Sequence, residues 1–245
     1  MEQKFEVQLG MCPNSIRYTY GYLRFKAPLV KELRSDNTAD LHFVHGPVEA
    51  FPPEGFEAYF GVGPFFRFIE PPKAATGGGD VLERIRNFPQ GATAEDQMRI
   101  LMRGGIGAVP TPNADDGGNQ SAQDAIDYLY RIMEKDGPFD GIIGYSEGAT
   151  VAATLILHEQ QRFETEGISP MFKCALFFAG WPPMTPELDA IVLADESDLT
   201  INIPTCHISE CPHIWLSCPT DCYAKTCSWI FGPILGWIHS SLQHL

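Results

Sequence analysis

The sequence predicts an α/β fold, with a mostly parallel central sheet and helices on both faces. Three observations carry that expectation. Strand-like and helix-like segments alternate along most of the 245 residues, the order that builds a parallel sheet through crossover helices. Lys173 to Gly180 is a near-continuous apolar run of strand length, as expected of a strand covered on both faces. Gly144-Tyr145-Ser146-Glu147-Gly148 fits G-x-S-x-G, with strand-like sequence before it and helix-like sequence after it. That is the context of a nucleophile elbow.

In chain order, Phe5, Val7 and Leu9 alternate with Glu6 and Gln8, which reads as a half-exposed strand over 4–9. Gly10 to Ser15 is a loop. A helical pattern runs from Arg17 to Arg34 and is interrupted near Pro28, whose missing N–H breaks the ladder. Leu41 to Val44 is the second strand, ended by Gly46-Pro47. Residues 48–79 hold seven aromatic side chains from Phe51 to Phe68 without a clean period, and close on Gly77-Gly78-Gly79. They read either as an aromatic flap over an apolar pocket or as a core-packing loop.

Polar helical fragments and a glycine-rich break follow between Asp80 and Gly104, then a loop over Pro110 to Gly118. Ala122, Ile126, Leu129, Tyr130 and Met133 recur at helical spacing, so Asn119 to Lys135 is an amphipathic helix stopped by Gly137-Pro138. Phe139 to Ile143 is a short buried strand and Glu147 to Gln161 a helix. After the apolar strand at 173–180, Trp181-Pro182-Pro183 starts an excursion, and the next strand begins near Thr205. No repeat or linker divides the chain, which is expected to be one domain over 1–245.

Composition narrows the function. A formal net charge of −14 opposes binding to nucleic acid or to an anionic membrane, which need a basic surface. No apolar run reaches the ~20 residues of a membrane-spanning helix. Met1-Glu2-Gln3-Lys4 leads into alternation rather than a signal-peptide core, so the expected location is cytoplasmic. Seven cysteines, an odd number in a chain of this length, read as reduced thiols. Cys211, Cys218, Cys222 and Cys227 crowd near His207 and His213, but no C-x-x-C pair occurs. A zinc site is therefore not expected.

The elbow carries the chemistry. A serine hydroxyl is a poor nucleophile until it is held out of the structure beside a base and near oxyanion donors. A tight turn does the holding, and its glycines avoid Cβ clashes where elements converge. Ser146 is the candidate nucleophile; the alternative is a serine in an ordinary strand–helix turn.

Several segments together resemble a known family. They are Leu23-Arg24 with the helix after it, Phe43-Val44-His45-Gly46-Pro47-Val48-Glu49, Phe65-Phe66-Arg67-Phe68, and Gly137-Pro138-Phe139-Asp140-Gly141-Ile142-Ile143-Gly144-Tyr145-Ser146-Glu147-Gly148-Ala149. Phe177-Phe178-Ala179-Gly180 and Ile203-Pro204-Thr205-Cys206-His207-Ile208 extend the match. Over roughly residues 9–216 the chain resembles the fungal serine hydrolase family of α/β-hydrolases, in particular the esterases and thioesterases encoded with polyketide synthases. The resemblance implies an α/β-hydrolase fold and an acyl-serine intermediate at Ser146. It implies oxyanion donors from the N–H of Glu147 and from a loop N–H at Met11. No metal or organic cofactor is implied.

The chain departs from the family pattern at both ends. The family opens with a buried strand and a His-Gly pair, where this chain has Leu9-Gly10; its first strand is therefore atypical. After the strand at Thr205–Ile208, Cys211 stands where the family carries an aspartate, and Trp237 stands where it carries a histidine. Such a tail would follow from an altered reading frame or a mis-spliced gene.

In this fold the triad partners follow in the order Ser, Asp or Glu, His. The histidine is the general base and the carboxylate orients it. Glu210 is the carboxylate at the end of the last strand, with Asp221 as the alternative; Asp195 and Asp198 read as solvated charges. His239 has the best chain position for the base, with His213 as the alternative. His158, three turns along the elbow helix, reads as surface, and His207 lies inside a strand. A site without a working base is the remaining outcome. The expected substrate is a small-molecule or carrier-bound acyl chain, with a polyketide synthase as a possible partner.

Overall fold

The computed structural model describes residues 3–9, 12–13, 31–33, 39–50, 64–70, 93, 95–96, 99, 118–178 and 180–208. The elements are β1 (Gln3–Leu9), β2 (Cys12–Pro13), β3 (Ala39–His45), β4 (Val48–Ala50), β5 (Phe65–Arg67), α1 (Gly118–Asp136), β6 (Gly141–Tyr145), α2 (Glu147–Glu166), β7 (Cys174–Phe178) and β8 (Thr205–Ile208). Five strands form one sheet in the order β3-β1-β6-β7-β8, and every neighbouring pair is parallel. This is the α/β arrangement that the alternating pattern predicts. β1, read from its alternation as half-exposed, has both of its edges paired, to β3 and to β6.

Each face of the sheet carries its own apolar cluster. Val44, Ile142, Ala175 and Phe177 join α1 and α2 in the larger one. Ala39, Leu41 and Ile143 form the other, with Phe43, Tyr145, Leu176 and Phe178 packed against them. The alternation along each strand assigns these residues to opposite faces. Leu33, in a helical turn at 31–33, packs on the second cluster.

Burial explains where the helices lie. Ala122, Ala125, Ile126, Leu129 and Met133 form one buried stripe on α1, at the spacing of a single helical face. α2 is different, because every residue from Gly148 to Leu157 is buried. It is wrapped on all sides, as a helix near the middle of a domain must be. It also runs five residues past the expected end at Gln161, because the stop is Gly167, in a left-handed conformation with its N–H on the Phe163 carbonyl at 3.0 Å.

β6 starts two residues later than expected and runs to Tyr145. Phe139 is core rather than strand, and pairing with β7 begins at Gly141 opposite Cys174. The strand therefore reaches the residue before Ser146, and this makes the following turn abrupt.

The aromatic stretch after residue 48 has a second architecture. β2, β5 and β4 form a small antiparallel sheet in that order. Phe65, Phe68 and Ile69 are buried, and Phe68 belongs to the main core. For these residues the core-packing reading holds. Phe51, Phe56, Tyr59 and Phe60 lie outside the described residues.

Candidate active site

Ser146 sits between the end of β6 and the start of α2 with φ 54° and ψ −122°. A positive φ in a residue with a Cβ is strained by roughly 1–3 kcal/mol and persists only where the surroundings impose it. Three backbone hydrogen bonds impose it here. The Ser146 N–H donates to the Phe178 carbonyl at 2.8 Å, and the Ser146 carbonyl accepts from Ala149 at 3.0 Å and from Thr150 at 3.4 Å. Serine at a helix start commonly caps it with its hydroxyl. The Ser146 side chain makes no capping bond, and the residue is only partly buried.

The glycines beside it are required by close approach. A Cβ on Gly144 would lie 2.4 Å from the Ala149 Cα and 2.6 Å from the Gly148 carbonyl oxygen. One on Gly180 would lie 2.6 Å from the Ala149 Cβ. The first turn of α2 is thus wedged between β6 and the end of β7, and only small residues at 144, 149 and 180 permit that. The excursion after β7 is pinned to the same helix. Thr150 Oγ1 donates to the Trp181 carbonyl at 3.0 Å and accepts from its N–H at 3.1 Å. Thr154 Oγ1 accepts from Met184 N–H at 2.9 Å.

Glu147 opens α2. As the first helical residue its N–H has no carbonyl four positions back inside the helix, which leaves it suited to an oxyanion. Its side chain reaches the small sheet: Oε2 accepts the Phe68 N–H at 2.9 Å, and Oε1 lies 3.2 Å from Arg67 Nη2. The Arg67 Nε also donates to the Ile69 carbonyl. Losing the carboxylate would leave a buried N–H at Phe68 unpaired, a penalty of about 1–3 kcal/mol.

The described histidines serve other purposes. His45 bonds through Nδ1 to the Gly46 carbonyl at 2.7 Å and its ring packs on Phe66. His42 Nε2 lies 3.7 Å from Asp136. His158, read from the sequence as surface, is instead half-buried, with Nδ1 at 2.9 Å from the Tyr130 hydroxyl. The approach of α1 to α2 covers it, and burial lowers its pKa. His207 packs on Phe177 at 5.0 Å between ring centroids, and burial pushes its pKa down to about 4. Among the described residues no histidine is hydrogen-bonded to Ser146.

A groove of about 350 Å³ lies between β3 and α1, lined by His42, His45, Tyr128 and Arg131 among others, and neither Ser146 nor Glu147 borders it. The elbow, not this groove, holds the groups suited to acyl transfer. Met11, Glu210 and His239 lie outside the described residues, as do Asp221, His213 and the four cysteines from 211 to 227. Among the described residues there is no cluster of metal-binding side chains and no helix long and apolar enough to cross a membrane.

Comparison with known proteins agrees with the elbow geometry. Residues 23–209 match the family described as serine hydrolase (FSH1). The chain belongs to that family. The FSH1 match ends one residue before Glu210, so the expected acid and base both lie beyond it. Over 183 residues, 74% of this chain, the sequence is 26% identical to hydrolase phiM of Talaromyces stipitatus, covering 57% of that protein. It is 32% identical to esterase FUS5 of Gibberella moniliformis over 36% of this chain and 33% of that one. With esterase alnB of Emericella nidulans the identity is 39%, over 33% of this chain and 28% of the relative. The matched stretches span between about a quarter and three-fifths of these relatives' lengths.

Chain distance explains what sequence reasoning missed. The Glu147 side-chain contacts are 79 and 80 residues away in the chain, and no local period marks them. The only available signal was a carboxylate inside the elbow motif and an arginine among four aromatic-rich residues at 65–68.

Proposed function

We propose that the chain is a serine esterase or thioesterase that cleaves an ester or thioester through an acyl-serine intermediate. The observation that carries this reading is Ser146, held at positive φ on a strand–helix turn with its hydroxyl spared from capping. Ser146 attacks the carbonyl. The N–H groups of Glu147 and Met11 hold the tetrahedral oxyanion, a contribution often worth two to three orders of magnitude in rate. His239 takes the serine proton and returns it to the leaving group, and Glu210 orients the ring. Water then releases the acid. Relatives that bear the names hydrolase and esterase support the reaction class.

A substrate from fungal polyketide biosynthesis, released from a synthase or carried as a free ester, rests on the resemblance around Gly137–Ala149. Phe51, Phe56, Tyr59 and Phe60 are suited to covering such an apolar chain.

A second reading is favoured by the family match ending at residue 209. A member with an intact elbow but without an acid and base would bind an apolar ligand or a synthase without turnover. Hydrolysis of short-chain p-nitrophenyl esters separates the two. The enzyme reading expects turnover that Ser146→Ala abolishes, a loss on the order of a millionfold in the catalytic step. Equal rates for the two proteins would leave only the binding reading. Sequencing the transcript across residues 205–245 adds an independent check, because a corrected frame with an Asp and a His would restore the family triad.

A further inference from the structure

The geometry points to a second binding site, in which an extended acidic peptide adds as a strand to β3 in the groove beside α1. Four consecutive residues, His42 to His45, border that groove, whose volume is about 350 Å³. Side chains of successive strand residues point to opposite faces, so a groove bordered by all four runs along the main chain of β3. β1 pairs with one side of β3, and among the described residues no strand pairs with the other. An unpaired edge presents a row of N–H and C=O groups, the template on which an extended peptide adds as a further strand. The opposite wall is one face of α1, where Tyr128, Arg131 and Lys135 recur at helical spacing. His42 Nε2 lies 3.7 Å from Asp136, which fixes one end of the groove. The bordering stretch of β3 is about 10 Å long, room for about three extended residues.

Charge selects the occupant. The chain carries a formal net charge of −14, yet Arg131 and Lys135 line this groove against one carboxylate, Asp136. Asp136 stands beside His42 and, at 4.0 Å, beside Lys135. Arg131 has no carboxylate partner among the described residues, whereas Arg67, Arg99 and Arg162 each pair with one. An exposed guanidinium flanking a strand edge suits a carboxylate side chain, which it can hold through two parallel N–H···O bonds. Backbone pairing along β3 supplies affinity, and the Arg131 contact sets register and the preference for an acid. A second copy of this chain would bring its own −14 and be repelled. The site is separate from the elbow, since neither Ser146 nor Glu147 borders the groove.

The test titrates the full chain into fluorescein-labelled Thr-Val-Glu-Val-Thr and follows anisotropy, with amide hydrogen exchange of the complex as a second readout. Saturable binding is expected, with slower exchange in β3 from His42 to His45 and unchanged exchange through β7. Lys in place of the central Glu should weaken binding about tenfold or more, as should Arg131→Glu. Arg131→Glu should in turn prefer the Lys peptide, and its denaturation midpoint should match wild type because Arg131 is exposed. Peptides N-methylated at alternate positions keep the carboxylate but lose ladder donors, so at least one of the two alternate sets should bind about tenfold more weakly. No saturation below about 1 mM overturns the site. Equal binding by both N-methylated sets and the parent peptide overturns strand addition and leaves a carboxylate contact only. Equal affinity of wild type and Arg131→Glu for the Glu peptide overturns the charge selection. A wild type that sediments as a dimer, with Arg131→Glu monomeric, gives the groove to a second copy and overturns the peptide.

Discussion

Helix α2 begins and ends on a residue with positive φ, and the two ends solve the same geometric problem in opposite ways. At the C-terminal end Gly167 takes φ 71° in open space, with nothing within 4 Å of where a Cβ would stand. Glycine suits that position because the left-handed region is nearly free for it. At the N-terminal end Ser146 takes φ 54° although glycine would be easier. There the surroundings are crowded, with Gly144 and Gly180 both pressed against Ala149. Strain is tolerated where a side chain is needed and avoided where none is. A positive φ on a serine, imposed by its backbone hydrogen bonds and by the close packing of glycines around it, points to a site rather than to an ordinary turn.

Substitution can break the comparison at each end. The largest effect is expected for Gly144→Ala, because the new Cβ meets backbone atoms of Gly148 and Ala149 that cannot rotate away. We expect more than about 3 kcal/mol of destabilisation, or failure to fold, in denaturant titration. A loss under 1 kcal/mol would mean that the close approach is not enforced.

The next effect acts at neither end and calibrates the scale. His207 is held neutral by burial, with its pKa near 4 against an ordinary 6.5. The unfolded chain binds the proton first as pH falls. Stability is therefore fully present above pH 6.5 and is lost between 6.5 and 4, by about 3 kcal/mol at most. Half-buried His158, lowered for the same reason, acts in the same direction. Denaturation midpoints measured across that window should fall with pH in wild type, and His207→Gln should flatten most of the slope.

The smallest effect belongs to Gly167→Ala. Only backbone strain opposes it, so about 1 kcal/mol is expected, with ester hydrolysis unchanged. A loss as large as that of Gly144→Ala would erase the distinction between the two ends.

Where the fold was legible in the sequence, regular spacing made it so. The apolar stripe at Ala122, Ile126, Leu129 and Met133 defines α1 to within a residue at each end. The run around Cys174–Phe178 reads as a buried strand because both its faces are apolar. Ser146 was legible because its motif is contiguous. The stretch after residue 48 resisted reading because β4 and β5 have three residues each, too short for alternation to show. The Glu147 contacts resisted for another reason: they join residues about eighty positions apart, and only the folded sheet brings them together. His158 looked exposed by its place on a helix, yet the Tyr130 hydroxyl of the neighbouring helix reaches its ring, a pairing that spacing along either helix alone does not give.

The central claim is that Ser146 is an activated nucleophile, and covalent labelling tests it without any assumption about the substrate. Wild-type protein treated with a fluorophosphonate is predicted to gain one adduct, mapped by mass spectrometry to the peptide containing Ser146. Ser146→Ala should gain none. A wild type that stays unmodified, or an adduct that persists in Ser146→Ala, would contradict the account.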